Sequence, residues 1–285
     1  MDWLDSLIMG VVQGLAEYLP ISSSGHLQIC EDILHVNVAG AESLQFTVAL
    51  HVATVLSTIV VLWKEFVPLL TSFFGFKRDA NTTYVFKILV SCVPIMIVGL
   101  FFKEEVETLF DENLLTVGIA LCFTALLLTF AYYFRRDSST GETAEGKRGK
   151  LQRDITFVDA FVIGIAQSIA VIPGLSRSGS TIATGLILGN KRDQIAKFSF
   201  FMVIIPILGE ALLDIKEMIG GETVANGAAS EAATVSLGAT IVGFIAAFVV
   251  GCLACKWMLD IVKKGKLVWF AVYCLIAGVL CIVLN

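Results

Sequence analysis

The chain has 285 residues, of which 56% are hydrophobic and 16% charged, with a mean hydropathy of +0.84 and a net charge of −5. A chain this apolar exceeds what a soluble domain of its size would bury, so its composition is that of a polytopic, all-α integral membrane protein, and no nucleic-acid partner is expected. The total charge decides little, because in a membrane protein the sharing of charge between the two faces carries the information.

The N-terminal Met1-Asp2-Trp3-Leu4-Asp5 lacks the basic region and small-residue cleavage site of a secretory signal, so the first apolar segment is expected to stay in the mature protein. Residues 4–36 form an apolar arm, a Ser/Gly-rich break after Pro20 and a second short arm. Neither arm alone reaches comfortably across a bilayer, which takes roughly 20 residues, and the pattern predicts a re-entrant helical hairpin with its irregular tip inside the protein. Uncharged runs at 44–63, 85–102 and 114–134 read as transmembrane spans, the second holding Pro94. The stretch 135–154 is polar and aperiodic and reads as an exposed cytoplasmic linker. A second hairpin is expected over 157–190, broken after Pro173, followed by spans at 198–213, with Pro206, at 232–255 and at 267–284.

The two hairpins are copies. Gly10, Gln13, Ala16, Ser22, Ser24 and Gly25 recur as Gly164, Gln167, Ala170, Ser176, Ser178 and Gly179 at one constant offset of 154. Trp63-Lys64-Glu65 and Ile215-Lys216-Glu217 close the first span of each half at nearly the same spacing. The halves are therefore 1–134 and 155–285, each one hairpin plus three spans, and an odd number of spans makes the repeat inverted. Of the 20 Lys and Arg, Lys103 and Lys216 fall on the face of the termini, Arg177 falls in the second tip, and the other 17 fall on the opposite face. By the positive-inside rule both termini are extracytoplasmic.

The tips carry the chemistry. Pro20 and Pro173 are expected to stop the first arms, and Gly25 and Gly179 to supply positive φ for the reversals. Each second arm then begins with free N–H groups beside serine hydroxyls, an arrangement that attracts phosphate, so Ser22, Ser24, Gly25, Ser176, Arg177, Ser178 and Gly179 form the candidate phosphate-binding set. A guanidinium at bilayer depth costs about 2.5–3.5 kcal/mol even on lenient scales, so Arg177 must face an anion, either Glu17 or a bound phosphate. Gln13 and Glu17, four apart on one helical face, could share a divalent cation such as Mg2+ or Ca2+ with substrate phosphates, or could only hydrogen-bond the loops. Ser23 is a candidate nucleophile and His26 its general base or acid. Outside the tips, His51 lines the cavity or bonds a neighbouring helix, Glu210 and His35 reach the interface, and Asp159 caps or faces water at the base of the second hairpin. The seven cysteines, odd in number and almost all in apolar runs, read as reduced core residues, the Cys252/Cys255 pair included.

Taken together, Gln13 with Glu17, Ser22-Ser23-x-Gly25-His26, and Pro173-Gly174-x-Ser176-Arg177-Ser178-Gly179 resemble the undecaprenyl-diphosphate phosphatase family, also called bacitracin-resistance proteins, over essentially the whole chain. The resemblance implies a hydrolase of the bacterial cytoplasmic membrane that removes the terminal phosphate of undecaprenyl diphosphate and returns undecaprenyl phosphate as the carrier for peptidoglycan and envelope glycans. It implies a divalent cation, and it assigns Glu17, Ser22, Ser23, His26, Ser176, Arg177, Ser178, Ser180 and Thr181 to the site. Gln13 departs from it, since many members carry a second glutamate there, and any metal then rests mainly on Glu17. In the mechanism this suggests, Arg177, loop N–H groups and the cation hold the diphosphate while Ser23 attacks and His26 handles the proton; His26 itself, or water, is the rival nucleophile. A lipid-phosphate or anion transporter would use the same tips without a nucleophile. A homodimer is a further partner expectation.

Overall fold

In the computed structural model, residues 1–36, 41–102, 114–137, 153–220 and 235–284 are described. They are helical throughout, and their one β-type feature is a single bridge between Arg153 and Asn190. In chain order the helices are α1 (Trp3–Ala16), α2 (Ser23–Leu34), α3 (Ala41–Val61), α4 (Trp63–Phe74), α5 (Ala80–Phe101), α6 (Leu114–Asp137), α7 (Phe157–Ile169), α8 (Arg177–Ile187), α9 (Arg192–Met202), α10 (Ile204–Gly220), α11 (Leu237–Lys264) and α12 (Val268–Leu284).

The first arms start alike because their sequences do. Asp2 accepts from the N–H groups of Leu4 and Asp5 while the Asp5 carboxylate takes the Asp2 N–H, a reciprocal cap on α1. Thr156 and Asp159 form the same box on α7, at the same repeat offset. Asp159 does more than cap: it is buried, holds Arg153 through two bonds of 2.6 and 2.7 Å, and accepts from Asn190. Arg153 therefore belongs to the foot of the second hairpin, and the linker boundary at 154 is corrected accordingly. At its other end, α6 continues to Asp137, past the expected start of that linker.

Among the described residues helices run through the apolar stretches of the sequence, with interruptions at Leu62 and Val203. Helices α5, α6, α9 with α10, and α11 are long and apolar enough to cross a membrane among the described residues, α3 with α4 makes a fifth if the bent pair is one span, and α12 is an apolar helix of 17 residues. Trp63-Lys64-Glu65 follows directly on the end of α3 at Val61. The chain turns by 91° at Leu62 and continues as α4, where Glu65 pairs with Lys197 of α9 at 2.7 Å. The run 198–213 is likewise broken, at Val203, between α9 and α10. The expected residues 103–113, 138–152 and 221–234 lie outside the described set.

The molecule is apolar on its outside: Trp3, Phe101, Leu253, Trp257 and Trp269 all stand more than half exposed, an exterior that only lipid would cover. The inside holds large apolar side chains such as Leu121, Ile163, Phe198 and Met258, and small residues mark the places where helices approach most closely, since apolar lipid gives helices little hydrophobic reason to associate and close backbone packing must supply much of the attraction. Helix α1 lies along α11, with Gly10 against Gly243 and Gly14 against Ala247 and Gly251. Reciprocally, α7 of the second half lies along α5 of the first, with Gly164 against Ser91, and α6 pairs with α12 through Gly118 and Gly278. A Cβ at Gly164 would fall on the Ser91 carbonyl oxygen. Replacing Gly164 by valine is thus expected to force α5 and α7 apart and to cost about 1–3 kcal/mol or more, read as a lowered thermal unfolding midpoint of the detergent-purified protein; an unchanged midpoint would show the contact to be soft.

Candidate active site

The two tips meet. Ser178 Oγ of the second donates to the Leu19 carbonyl of the first at 3.1 Å, and a Cβ on Gly25 would stand 3.1 Å from Gly174 Cα. On Gly179 it would stand 3.2 Å from Pro20 Cβ. Here the expected roles of several residues change. Gly25 and Gly179 sit inside α2 and α8 rather than at a reversal, and they are needed because a side chain would wedge the tips apart. The positive φ angles fall on Ser22 (73°) and Gly174 (82°) instead. Nor do the prolines end the first arms: α1 stops at Ala16 and α7 at Ile169, each about a turn before its proline.

Ser22 and Ser176 cap the second arms, accepting from Gly25 N–H at 3.3 Å and Gly179 N–H at 3.1 Å. The N–H groups of Ser23, Ser24, Arg177 and Ser178 lie in the first turns, where no intrahelical acceptor exists. Thr181 is directed inward, bonding the Arg177 carbonyl and Ser199 Oγ, and it fastens α9 to α8. Ser180 is buried with its Oγ unpartnered. Ser24 is exposed and bonds only weakly to Ser22, at 3.3 Å.

Glu17 is the hub. Its Oε1 accepts from Arg177 at 2.5 Å across the two hairpins, and its Oε2 accepts from Ser23 Oγ at 2.9 Å and Gln13 Nε2 at 3.1 Å. The carboxylate side chain is 5% exposed and the guanidinium 26%, so the pair is sheltered while Arg177 keeps an open edge. His51 on α3 lies within electrostatic reach of Glu17. Glu17, Arg177 and Ser178 open into a small cleft whose remaining walls are Tyr18, Thr54, Val55, Thr58, Ser199, Phe200, Val203 and Ile207. One end of that cleft is charged and donor-rich, and the rest sets the apolar Val55, Phe200, Val203 and Ile207 beside the hydroxyl-bearing Tyr18, Thr54, Thr58 and Ser199, with most of its exposed surface apolar.

A model of the family described as bacitracin resistance protein BacA matches residues 6–280. That match spans nearly the whole chain. The chain belongs to the BacA family. Among its relatives, an undecaprenyl-diphosphatase of Bacteroides fragilis is 53% identical over 285 residues, covering 100% of this chain and 99% of the relative. One from Parabacteroides distasonis is 53% identical over 282 residues, covering 99% and 98%. An archaeal one, from Methanosphaera stadtmanae, is 34% identical over 302 residues, covering 100% and 99%.

In this BacA-family chain the expected proton partnership is rearranged. His26 does not touch Ser23: its Nδ1 bonds the Ser22 carbonyl at 2.8 Å and its Nε2 bonds the Tyr273 hydroxyl at 2.7 Å. Glu17 is the group that holds Ser23. Tyr18, Thr54, Ser57 and Thr58 were not singled out by the motif reading. The Tyr18 hydroxyl donates to the Thr54 carbonyl at 2.6 Å and meets Ser57 and Thr58 at 2.5 and 2.7 Å, which fixes α3 against the first tip. A signal was there, since three hydroxyls at one-turn spacing inside an apolar span are costly unless they bond something.

Proposed function

We propose that the chain hydrolyses undecaprenyl diphosphate to undecaprenyl phosphate and inorganic phosphate, recycling the lipid carrier of cell-envelope glycan synthesis. Supporting this is the Glu17–Arg177 pair, which joins the two hairpins at the polar end of a largely apolar cleft, together with full-length relatives bearing the diphosphatase name. The diphosphate takes the charged end, with Arg177 and the first-turn N–H groups as donors, and the prenyl chain takes the apolar wall. Phosphoryl transfer leaves little covalent work for the protein, so positioning and charge stabilisation supply most of the rate. Ser23 Oγ is held by Glu17, which makes Glu17 the base within reach of the serine; His26 acts beside it through Nε2.

The implied divalent cation would rest on Glu17 with Gln13. Gln13 turns its Nε2 to Glu17 and leaves Oε1 buried without a partner, so the amide would have to turn over to place that oxygen beside the carboxylate. No cluster of three His, Cys, Asp or Glu is found among the described residues, so most of the shell would come from water and substrate phosphate. When bound it would offset phosphate charge. The chain lies in the cytoplasmic membrane with both termini outward, on the distribution of its Lys and Arg, and its two halves are an inverted repeat, on the reciprocal α1–α11 and α7–α5 packing.

The test is phosphate release from a polyprenyl diphosphate by the purified protein. Ser23→Ala is expected to lower kcat by at least about 10²-fold, with radiolabel from the terminal phosphate recovered on Ser23 in the wild-type protein. Label on His26 would reassign the nucleophile, label on neither would point to direct attack by water, and lipid flux without phosphate release would indicate a transporter.

A further inference from the structure

Resting on the phosphatase reading, we propose that Tyr273 is a positioning residue of this active site, holding His26 by a hydrogen bond to Nε2 so that its ring is presented in one tautomer and one orientation. A backbone carbonyl can only accept, so the 2.8 Å contact with the Ser22 carbonyl puts a proton on Nδ1. In the neutral ring Nε2 is then the basic nitrogen, the one that could take a proton or a phosphoryl group, and the Tyr273 hydroxyl lies 2.7 Å from it. The rings also stack, with centroids 5.6 Å apart and planes 20° apart, so the tyrosine fixes the plane of the imidazole as well as one of its nitrogens.

Both ends of this arrangement are anchored. The Ser22 carbonyl that takes Nδ1–H belongs to the residue at φ 73°, which also caps α2, so its direction is set by the tip itself. Tyr273 stands on α12, whose neighbouring Cys274 donates from Sγ to the Pro20 carbonyl at 3.4 Å, tying the helix to the same tip. Helix α12 is in turn locked to α6 at Gly118 and Gly278, where no side chain larger than hydrogen fits without displacing the partner. The bond from Nδ1–H to the Ser22 carbonyl selects the tautomer, and the Tyr273 hydroxyl, donating to the acceptor nitrogen that results, holds the ring in place until Nε2 exchanges this partner for the reacting group.

The experiment uses the full-length purified protein with Tyr273→Phe, which keeps the stacked ring and removes only the hydroxyl. Expected is a fall in kcat of roughly tenfold or more with KM changed less than about twofold, the pattern of a group lost from the reacting step rather than from binding. The chain has three histidines, so ¹⁵N-labelled histidine gives few ring signals, and the Nε2 resonance of His26 is expected to move in Tyr273→Phe while Nδ1 stays protonated. Tyr273→Leu, which also removes the stacking, is expected to be slower still and to show mixed tautomers. Unchanged kcat together with an unmoved Nε2 signal would overturn the proposal. If the wild-type protein released no phosphate, the phosphatase reading would fall by itself, and the Nε2 signal would still decide whether Tyr273 holds His26.

Discussion

Arg177→Ala is expected to lower kcat/KM for polyprenyl diphosphate by about 10³-fold or more. Its guanidinium is the cation that both hairpins converge on, and it meets the cleft with an edge still open beyond Glu17. Charge developing on a transferred phosphoryl group in a water-poor site gains far more from a preorganised arginine than it would in solution, and arginines in this role are worth about 10³–10⁵ in rate. Arg177→Lys keeps the charge but not the planar fork, and should recover only a small part of the loss. A second effect accompanies the first. Without Arg177 the Glu17 carboxylate, 5% exposed, is left unpaired, at a cost of about 3 kcal/mol, so Arg177→Ala is expected to unfold at lower temperature than the wild type. Adding Glu17→Gln should restore much of that stability and none of the activity. Near-normal turnover by Arg177→Ala would remove the phosphate clamp from the account.

Glu17→Gln is expected to cost about 10²–10⁴-fold in kcat, the range of a positioned proton acceptor. One atom separates the variant from the wild type, yet three bonds change: Arg177 loses its counter-charge, and Ser23 and Gln13 Nε2 lose the carboxylate oxygen they share. The amide can still accept one of these bonds, so the fold should survive. If a cation is held between Glu17 and Gln13, the variant should also need a much higher Mg2+ concentration for half-maximal rate, and a shift in that concentration without a change at saturating metal would make Glu17 a ligand rather than a base.

How far the sequence alone carried these conclusions depended on whether a feature was local. The paired short helices α1 with α2 and α7 with α8 were legible because each pair is a contiguous pattern of short apolar arm, Ser/Gly break and short arm. The Arg177–Glu17 contact was legible from cost, since a guanidinium inside apolar sequence has few anions to choose from. By contrast, the 91° turn at Leu62 was only half legible: the apolar run ends where Lys64 and Glu65 follow, but with neither glycine nor proline at the corner nothing in the pattern shows that the chain resumes at once as the helix α4. Gly25 and Gly179 were read for their φ freedom, whereas their small size is what the touching tips use. Tyr273 lies 247 residues from His26, on a helix with no motif of its own, and only the packing of α12 against the first tip brings it into view. Arg153 resembled linker because its partner Asp159 lies past the boundary that the charge run suggested.

The claim on which the rest depends is that Glu17 and Arg177, from opposite hairpins, act as one unit on one substrate. A double-mutant cycle on kcat/KM with Glu17→Gln, Arg177→Ala and the pair tests it most directly. The account predicts a double variant about as slow as the worse single one, a coupling of at least about 2 kcal/mol. Effects that instead multiply independently, with coupling below about 0.5 kcal/mol, would mean that the two hairpins do not share a site.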